Sequence, residues 1–185
     1  MDKEYLIHEK PFRALIIFAW PMILGNLFQQ FYTMVDSIVV GRYVSEGALA
    51  AVGASYSVTN VFICIAIGGG IGASVVISQY FGAREYQKMK QAAYTALLSF
   101  FILSVVLGIL GFLLGKQIMQ LLNTPDSILG MSVIYLDIYF LGLPFLFLYN
   151  VFSAMFNAIG QSRTPLYLLI FSSVLNIFLD VYMVC

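Results

Sequence analysis

The chain has 185 residues, of which 61% are hydrophobic and 10% are charged, and its nine basic residues balance nine acidic ones. Soluble domains carry about 25% charged residues, so this composition indicates an all-α membrane protein, and the balanced charge gives no sign of a nucleic-acid partner. His8 is the only histidine, and Cys64 and Cys185 have no disulfide or metal-binding spacing. We therefore expect neither an enzyme nor a cofactor.

The first predicted span covers residues 14–40 and contains a single charged residue. At about 1.5 Å per residue, its helix is about 40 Å long, enough to cross a hydrocarbon core of about 30 Å with tilt. Polar side chains recur along this helix at steps of three and four, so they share one face. The polar residues are Asn26, Gln29, Gln30, Thr33, Asp36 and Ser37.

The carboxylate of Asp36 excludes lipid as the surroundings of this polar stripe. A charge at the centre of a bilayer costs at least about 2.5 kcal/mol on insertion scales. We therefore expect the stripe to face other protein or a water-filled chamber. The alternative is that Asp36 lies at the outer headgroups and pairs with Arg42, although six residues is poor spacing for a direct pair on a helix.

Two further spans are predicted at residues 48–81 and 92–115. The second span holds a cluster of glycines, which let helices approach closely in lipid. A phosphate-binding loop is excluded there because the required Lys-Ser/Thr pair is missing. The polar segment 82–91 carries basic residues and tyrosines, which is typical of a cytoplasmic interface. The third span lacks a polar stripe, which predicts a packing helix with mostly lipid contacts.

The fourth predicted span covers residues 130–159. Within it, Asn150, Ser153 and Asn157 follow one another at spacings of three and four and share a face. Asp137 stands near the outer end, beside two tyrosines, and we expect it to be interfacial. The span thus has amide groups on one face and a carboxylate near its outer end.

The fifth predicted span covers residues 165–185 and begins with a proline, which suits the first turn of a helix. Ser172, Asn176 and Asp180 stand four residues apart and share one face. The chain stops without a polar flank after this span, so we expect it to be a fragment.

The basic residues indicate how the spans are oriented. With the N-terminus in the cytoplasm, seven Lys and Arg residues lie on the cytoplasmic side and two lie outside. This bias predicts a multi-pass protein of the cell membrane with a cytoplasmic N-terminus. Asp36 and Asp180 then both fall in the outer halves of their helices.

Two carboxylates at similar depth predict a site for a proton or a cation. A carboxyl group that is withdrawn from water and placed beside another carboxylate binds a proton more readily. We expect coupling-cation ligands on three helices and no bound metal other than Na⁺. The expected ligands are Asp36, Asn176, Asp180 and Asn157, and the expected cavity-lining residues are Gln30, Thr33, Asn26, Tyr32 and Ser172.

Four motifs, in order along the chain, resemble those of the multidrug and toxic compound extrusion (MATE) transporters. The resemblance covers almost the whole chain. The motifs are Trp20-Pro21-Met22-Ile23 with Gln30 and Val35-Asp36; Gly68 to Gly72 with Ser78-Gln79-Tyr80-Phe81-Gly82-Ala83; Phe156-Asn157-Ala158-Ile159-Gly160-Gln161-Ser162-Arg163-Thr164-Pro165; and Leu175-Asn176 with Asp180.

The resemblance implies an antiporter of twelve helices in two lobes of six, with residues 1–185 as an incomplete N-terminal transmembrane lobe. Such a transporter exports organic cations and other amphipathic compounds in exchange for H⁺ or Na⁺. In the family, the first-helix aspartate and the fifth-helix Asn and Asp belong to the cation site, which implies that role for Asp36, Asn176 and Asp180. The implied partners are a drug-like substrate, the coupling ion, the lipid bilayer and a C-terminal lobe.

Two other functions fit the same pattern. A lipid-linked saccharide flippase of the same superfamily would place several Arg or Lys residues inside its cavity, and none of the five spans contains one. In a non-transporting membrane subunit, the polar stripes would hold helices together, and aspartate substitutions would disturb assembly rather than transport.

Overall fold

The structure, a computed structural model, describes the backbone of residues 11–184. The side chains left out of that description are those of Pro11, Ala14, Phe18, Asp180, Val181, Met183 and Val184. Five long α-helices make up nearly all of the described chain, and residues 11–184 contain no β-strand, which confirms the predicted all-α class. The helices are α1 (Pro11–Val39), α2 (Glu46–Gly82), α3 (Tyr86–Leu121), α4 (Asp126–Ala158) and α5 (Arg163–Val184), with a π-helical segment (Val40–Val44) between α1 and α2.

Four segments of the described chain are long and apolar enough to cross a membrane, judged by length and composition alone. A fifth, shorter apolar helical segment covers Arg163–Leu179. The four longer segments are Leu15–Val44, Glu46–Gly82, Tyr86–Leu121 and Asp126–Ala158. The exact membrane-spanning limits stay a prediction.

The connections after α2, α3 and α4 are much shorter than their polar sequences suggest. Two positions beyond the end of each helix, a residue adopts the left-handed region, namely Arg84 (φ 59°), Asn123 (φ 55°) and Gly160 (φ 77°). The following amide then reaches back across the last turn, as where Glu85 N donates to Tyr80 O at 3.0 Å. This Schellman geometry satisfies the last carbonyls of a helix and reverses the chain within a few residues.

The π-helical segment Val40–Val44 joins α1 to α2 between the first two predicted spans. Ser45 N donates to Val40 O at 3.3 Å, the wider spacing that defines such a segment. The Ser45 hydroxyl then accepts from Ala48 N at 3.0 Å and caps the start of α2. The chain therefore passes from α1 to α2 without an extended loop.

Helices α2 and α4 run side by side in the same direction. Ser132 Oγ donates to Ala51 O at 3.4 Å, and Tyr139 OH donates to Thr59 O at 3.2 Å. The two bonds join residues 81 and 80 positions apart. Because the separation barely changes along the helices, α2 and α4 are parallel.

The α3–α4 contact is built on glycines of α3. The Phe140 ring of α4 is 2% exposed and lies against Gly111, where a Cβ atom would come within 2.5–2.7 Å of three ring carbons. At Gly108, a Cβ atom would come within 3.0 Å of the Phe140 carbonyl oxygen. Small residues allow this close approach of helix backbones, and the core of the bundle therefore lies among α2, α3 and α4.

Helices α1 and α5 form a second pair. Buried Gly25 of α1 lies against Leu166 and Leu169 of α5, since a Cβ atom there would be 3.5–3.7 Å from their methyl groups. The π-helical segment contacts α5 as well as α2, and α4 contacts α5. The α1–α5 pair therefore meets the three-helix core along α4 and the π-helical segment.

Candidate functional site

The polar stripe of α1 lies beside the face that packs on α5. Thr33 Oγ1 donates to Gln29 O at 2.9 Å, and Ser37 Oγ donates to Thr33 O at 2.8 Å, so both hydroxyls are satisfied within the helix. The stripe is exposed between residues 26 and 33, and Asp36 and Ser37 are half-buried. The carboxylate thus lies where the open stripe meets the packed part of the bundle.

Asp36 is close to α4 as well as to α5. Its carboxylate and the Tyr32 hydroxyl both interact electrostatically with the hydroxyl of Tyr135, which is half-buried on α4. A phenol hydroxyl can donate to a carboxylate. The sequence named Tyr135 only as a neighbour of Asp137, because in a chain with 16% aromatic residues one more tyrosine gives no distinct signal.

Helix α5 brings buried polar atoms to the same level. Near the start of the pair, Gly25 of α1 is level with Leu166 and Leu169 of α5. The two helices run in the same direction. Because both rise equally per residue, Asn176 of α5 lies level with the segment of α1 between Thr33 and Asp36. The side-chain oxygen of Asn176 is buried and has no hydrogen-bond partner among the described residues. An unpaired buried acceptor is rare in native proteins and indicates a missing donor or ion.

Ser173, one turn before Asn176, also has a buried side-chain oxygen that lacks a partner within the described part of the chain. The sequence pattern selected its neighbour Ser172, which the structure places on the exposed face of α5, whereas Ser173 is 6% exposed. Residues three and four apart both share a helix face, so the spacing to Asn176 could not decide between the two serines.

The structure does not bring Asn157 together with Asp36. Asn157 is the penultimate residue of α4 and lies at the α4–α5 turn, whereas Asp36 is level with Tyr135 near the start of α4. The helical rise between Tyr135 and Asn157 is about 33 Å. The Asn157 side-chain oxygen is itself buried without a partner among the described residues, so it forms a separate polar position at the opposite end.

The other predicted residues are placed as follows. Asp180 belongs to α5 one turn beyond Asn176, and its side chain lies outside the described residues.

Asp137 is half-buried and lies against Gly115 of α3, where a Cβ atom would be 4.0 Å from a carboxylate oxygen. Asp137 and Tyr135 are two positions apart and point to different faces of α4. Of the expected cavity-lining residues, Tyr32 is half-buried and the exposed ones are Asn26, Gln30, Thr33 and Ser172.

The arrangement is suited to binding a proton or a hard cation. It supplies carboxylate, amide and hydroxyl oxygens, which hard cations prefer over nitrogen and sulfur. All basic residues that the structure describes lie within about two turns of a helix end or in a turn. The half-buried Asp36 therefore contributes a carboxylate to this region.

The chain is similar in sequence and in fold to known transport proteins. A family model described as MatE matches residues 21–182. The probable multidrug resistance protein YoeA of Bacillus subtilis is 34% identical over 165 residues, which cover 89% of this chain and 36% of that protein. A FAD transporter of Shewanella oneidensis is 26% identical over 179 residues, which cover 97% of this chain and 39% of that protein.

Similarity of fold extends along nearly the whole chain. A MOP superfamily transporter from Pyrococcus furiosus superposes with a TM-score of 0.90 at 24% sequence identity, over 97% of this chain and 40% of that one. That transporter is described as having a binding pocket of reverse polarity, which suggests a different function for it. The present chain thus spans about two fifths of the length of the proteins it matches.

Proposed function

This chain belongs to the MatE family of multidrug efflux transporters, and from that premise we propose that it forms the N-terminal lobe of a cation-coupled antiporter. The antiporter exports organic cations and other amphipathic drugs in exchange for H⁺ or Na⁺ across the cell membrane. The observation that supports this proposal is the half-buried Asp36, which interacts electrostatically with Tyr135 of α4. Asp36 also lies level with the Asn176 side-chain oxygen on α5, which is buried without a hydrogen-bond partner among the described residues.

Competition for one negative charge couples the two fluxes. A cationic drug is attracted to the region of Asp36 while the carboxylate is charged. When a proton or Na⁺ binds there, the positive drug loses that attraction and leaves. Each ligand therefore lowers the affinity for the other by the same factor. Rocking of this lobe against a second one then exposes the site alternately to the two sides of the membrane.

The charge distribution favours a cationic substrate over an anionic one. A flippase for lipid-linked saccharides, or a carrier for the FAD named in one relative, needs positive groups to bind the phosphates of its substrate. The basic residues of the described chain lie near helix ends, and the half-buried charge in the candidate site is negative. An anionic substrate would therefore meet the negative charge of Asp36 in the candidate site.

Transport by the product of the complete reading frame, reconstituted into liposomes, tests this proposal. Ethidium is expected to move against its gradient when a gradient of H⁺ or Na⁺ of opposite direction is imposed. FAD is expected not to move. Ethidium movement that ignores both ion gradients, or FAD movement that exceeds it, would contradict the proposal.

Replacing Tyr135 with Phe is expected to weaken the coupling without abolishing transport. The substitution removes one hydroxyl that interacts electrostatically with Asp36, and interaction energies between coupled side chains are about 0.5–3 kcal/mol. Export is expected to fall by about twofold or more, and the pH or Na⁺ concentration of half-maximal export is expected to shift. Tyr149→Phe, on an exposed part of α4, is the control and should change neither quantity.

A further inference from the structure

A groove with a volume of about 730 Å³ lies between the C-terminal half of α2 and the N-terminal half of α3, next to the turn that joins them. Small residues on both helices line it, including Gly72, Ala73, Ala92 and Ala96. The Phe100 ring closes its inner end, because the ring covers Gly69 so tightly that a Cβ atom there would overlap it. The groove is therefore an open furrow that ends near the middle of the two helices.

The end of the groove at the α2–α3 turn is polar and basic. Lys88, Gln91 and Tyr80 line it. Lys88 Nζ lies 2.8 Å from a Glu85 carboxylate oxygen, and the Lys88 side chain is 61% exposed. An ammonium group has three donors, and an exposed pair of this kind is weak, so Lys88 remains able to bind a second anion.

The residues around the turn carry an excess of positive charge. Between residues 82 and 91, Arg84, Lys88 and Lys90 are basic and Glu85 is the only acidic residue. Each of these side chains is exposed. Juxtamembrane basic residues attract anionic lipid with about 1 kcal/mol each. The mouth of the groove is therefore suited to an anionic group and unsuited to a cationic drug.

The length of the groove matches one leaflet. Lys88 and Phe100 are twelve residues apart on α3, which corresponds to about 18 Å. Half of a hydrocarbon core of about 30 Å is about 15 Å. A chain that enters beside Lys88 and runs to Phe100 would thus reach from the headgroup region to about the middle of the membrane.

We propose that this groove binds an anionic glycerophospholipid of the leaflet at the α2–α3 turn, with one acyl chain between α2 and α3 and the phosphate at Lys88. This site is separate from the region of Asp36 and does not depend on the transport activity. The small residues provide the room for the acyl chain, and the basic turn selects the headgroup.

Native mass spectrometry of the product of the complete reading frame, purified in detergent, tests the site. Titration with phosphatidylglycerol is expected to give a one-to-one complex at least about fivefold tighter than titration with phosphatidylcholine, since one basic contact of about 1 kcal/mol gives that factor. Glycerol phosphate, which carries the anion without acyl chains, is expected not to compete. Equal binding of both lipids, no binding, or displacement by glycerol phosphate would each overturn the proposal.

Two pairs of variants locate the lipid. Gly72→Leu places a large side chain in the groove, and its control, Gly142→Leu, places the same side chain on α4. A Cβ atom at either position would have no atom within 4 Å, so neither position is closed to a side chain. Lys88→Gln removes the charge at the mouth, and Lys116→Gln removes one at the far end of α3. Gly72→Leu and Lys88→Gln are each expected to weaken phosphatidylglycerol binding at least about fivefold, and the two controls to leave it unchanged. Equal loss within either pair would rule out this groove.

Discussion

Replacing Asp36 with Asn is expected to reduce drug export by the complete transporter to the level of cells without it. The amide keeps the size of the side chain but can neither hold a negative charge nor exchange a proton, so the drug and the coupling ion no longer compete. Coupling free energies between two ligands are about 1–3 kcal/mol, or about 5- to 150-fold. The measurement is drug resistance of cells, together with ion-driven ethidium transport in liposomes.

The matched control for this experiment is Asp126→Asn. Asp126 is exposed in the first turn of α4, so its neutralisation also removes one carboxylate but leaves the candidate site intact. Both variants should reach the membrane in normal amounts. Unchanged resistance in the Asp36 variant would remove the basis of the proposed coupling. A loss of folded protein rather than of transport would instead support a structural role for the polar stripe.

Replacing Gly111 with Leu is expected to have the largest effect on stability. A Cβ atom at this position would come within 2.5–2.7 Å of the Phe140 ring, and the ring itself is 2% exposed and has no free space to enter. Overpacking of this kind costs about 1–3 kcal/mol or more. For a chain of this size that corresponds to a drop of about 2–12 °C in the midpoint of thermal unfolding.

The midpoint is measured on the purified chain in detergent. Gly130→Leu is the control, because no atom lies within 4 Å of a Cβ atom placed at this position of α4. Equal midpoints for the two variants would show that the α3–α4 contact is looser than the structure has it. A smaller residue on the opposite side, as in Phe140→Leu combined with Gly111→Leu, is expected to recover part of the loss.

The helical class was predictable because it follows from composition and periodicity. Long apolar segments in lipid must satisfy their backbone groups internally, which leaves helices or closed barrels. The lengths of the connections were not predictable from hydropathy. Polar residues beside a span can continue the helix, as residues 86–91 do at the start of α3, because the headgroup region accepts both charged side chains and a helical backbone.

The candidate site was predictable along each helix but not between helices. The spacing of polar residues found the stripe that ends at Asp36. It also grouped Asn157 with Asp36, although the two lie at opposite ends of the bundle. Periodicity shows which face of a helix a residue occupies, but it does not show whether residues of two helices lie at the same height. It selected Ser172 rather than Ser173, since both spacings to Asn176 fit a helix.

The sequence by itself determined that this chain is helical and apolar and that the carboxylate of Asp36 must face protein or water rather than lipid. These properties follow from hydropathy and from the free-energy cost of burying a charge, which depend on each segment alone. Only the tertiary structure decided which helices are neighbours. It made α2 and α4 parallel, paired α1 with α5, and brought Tyr135 within electrostatic range of Asp36. These pairings depend on the close fit of glycines and rings between helices, such as Gly111 with Phe140, and that fit is a property of two surfaces rather than of either segment.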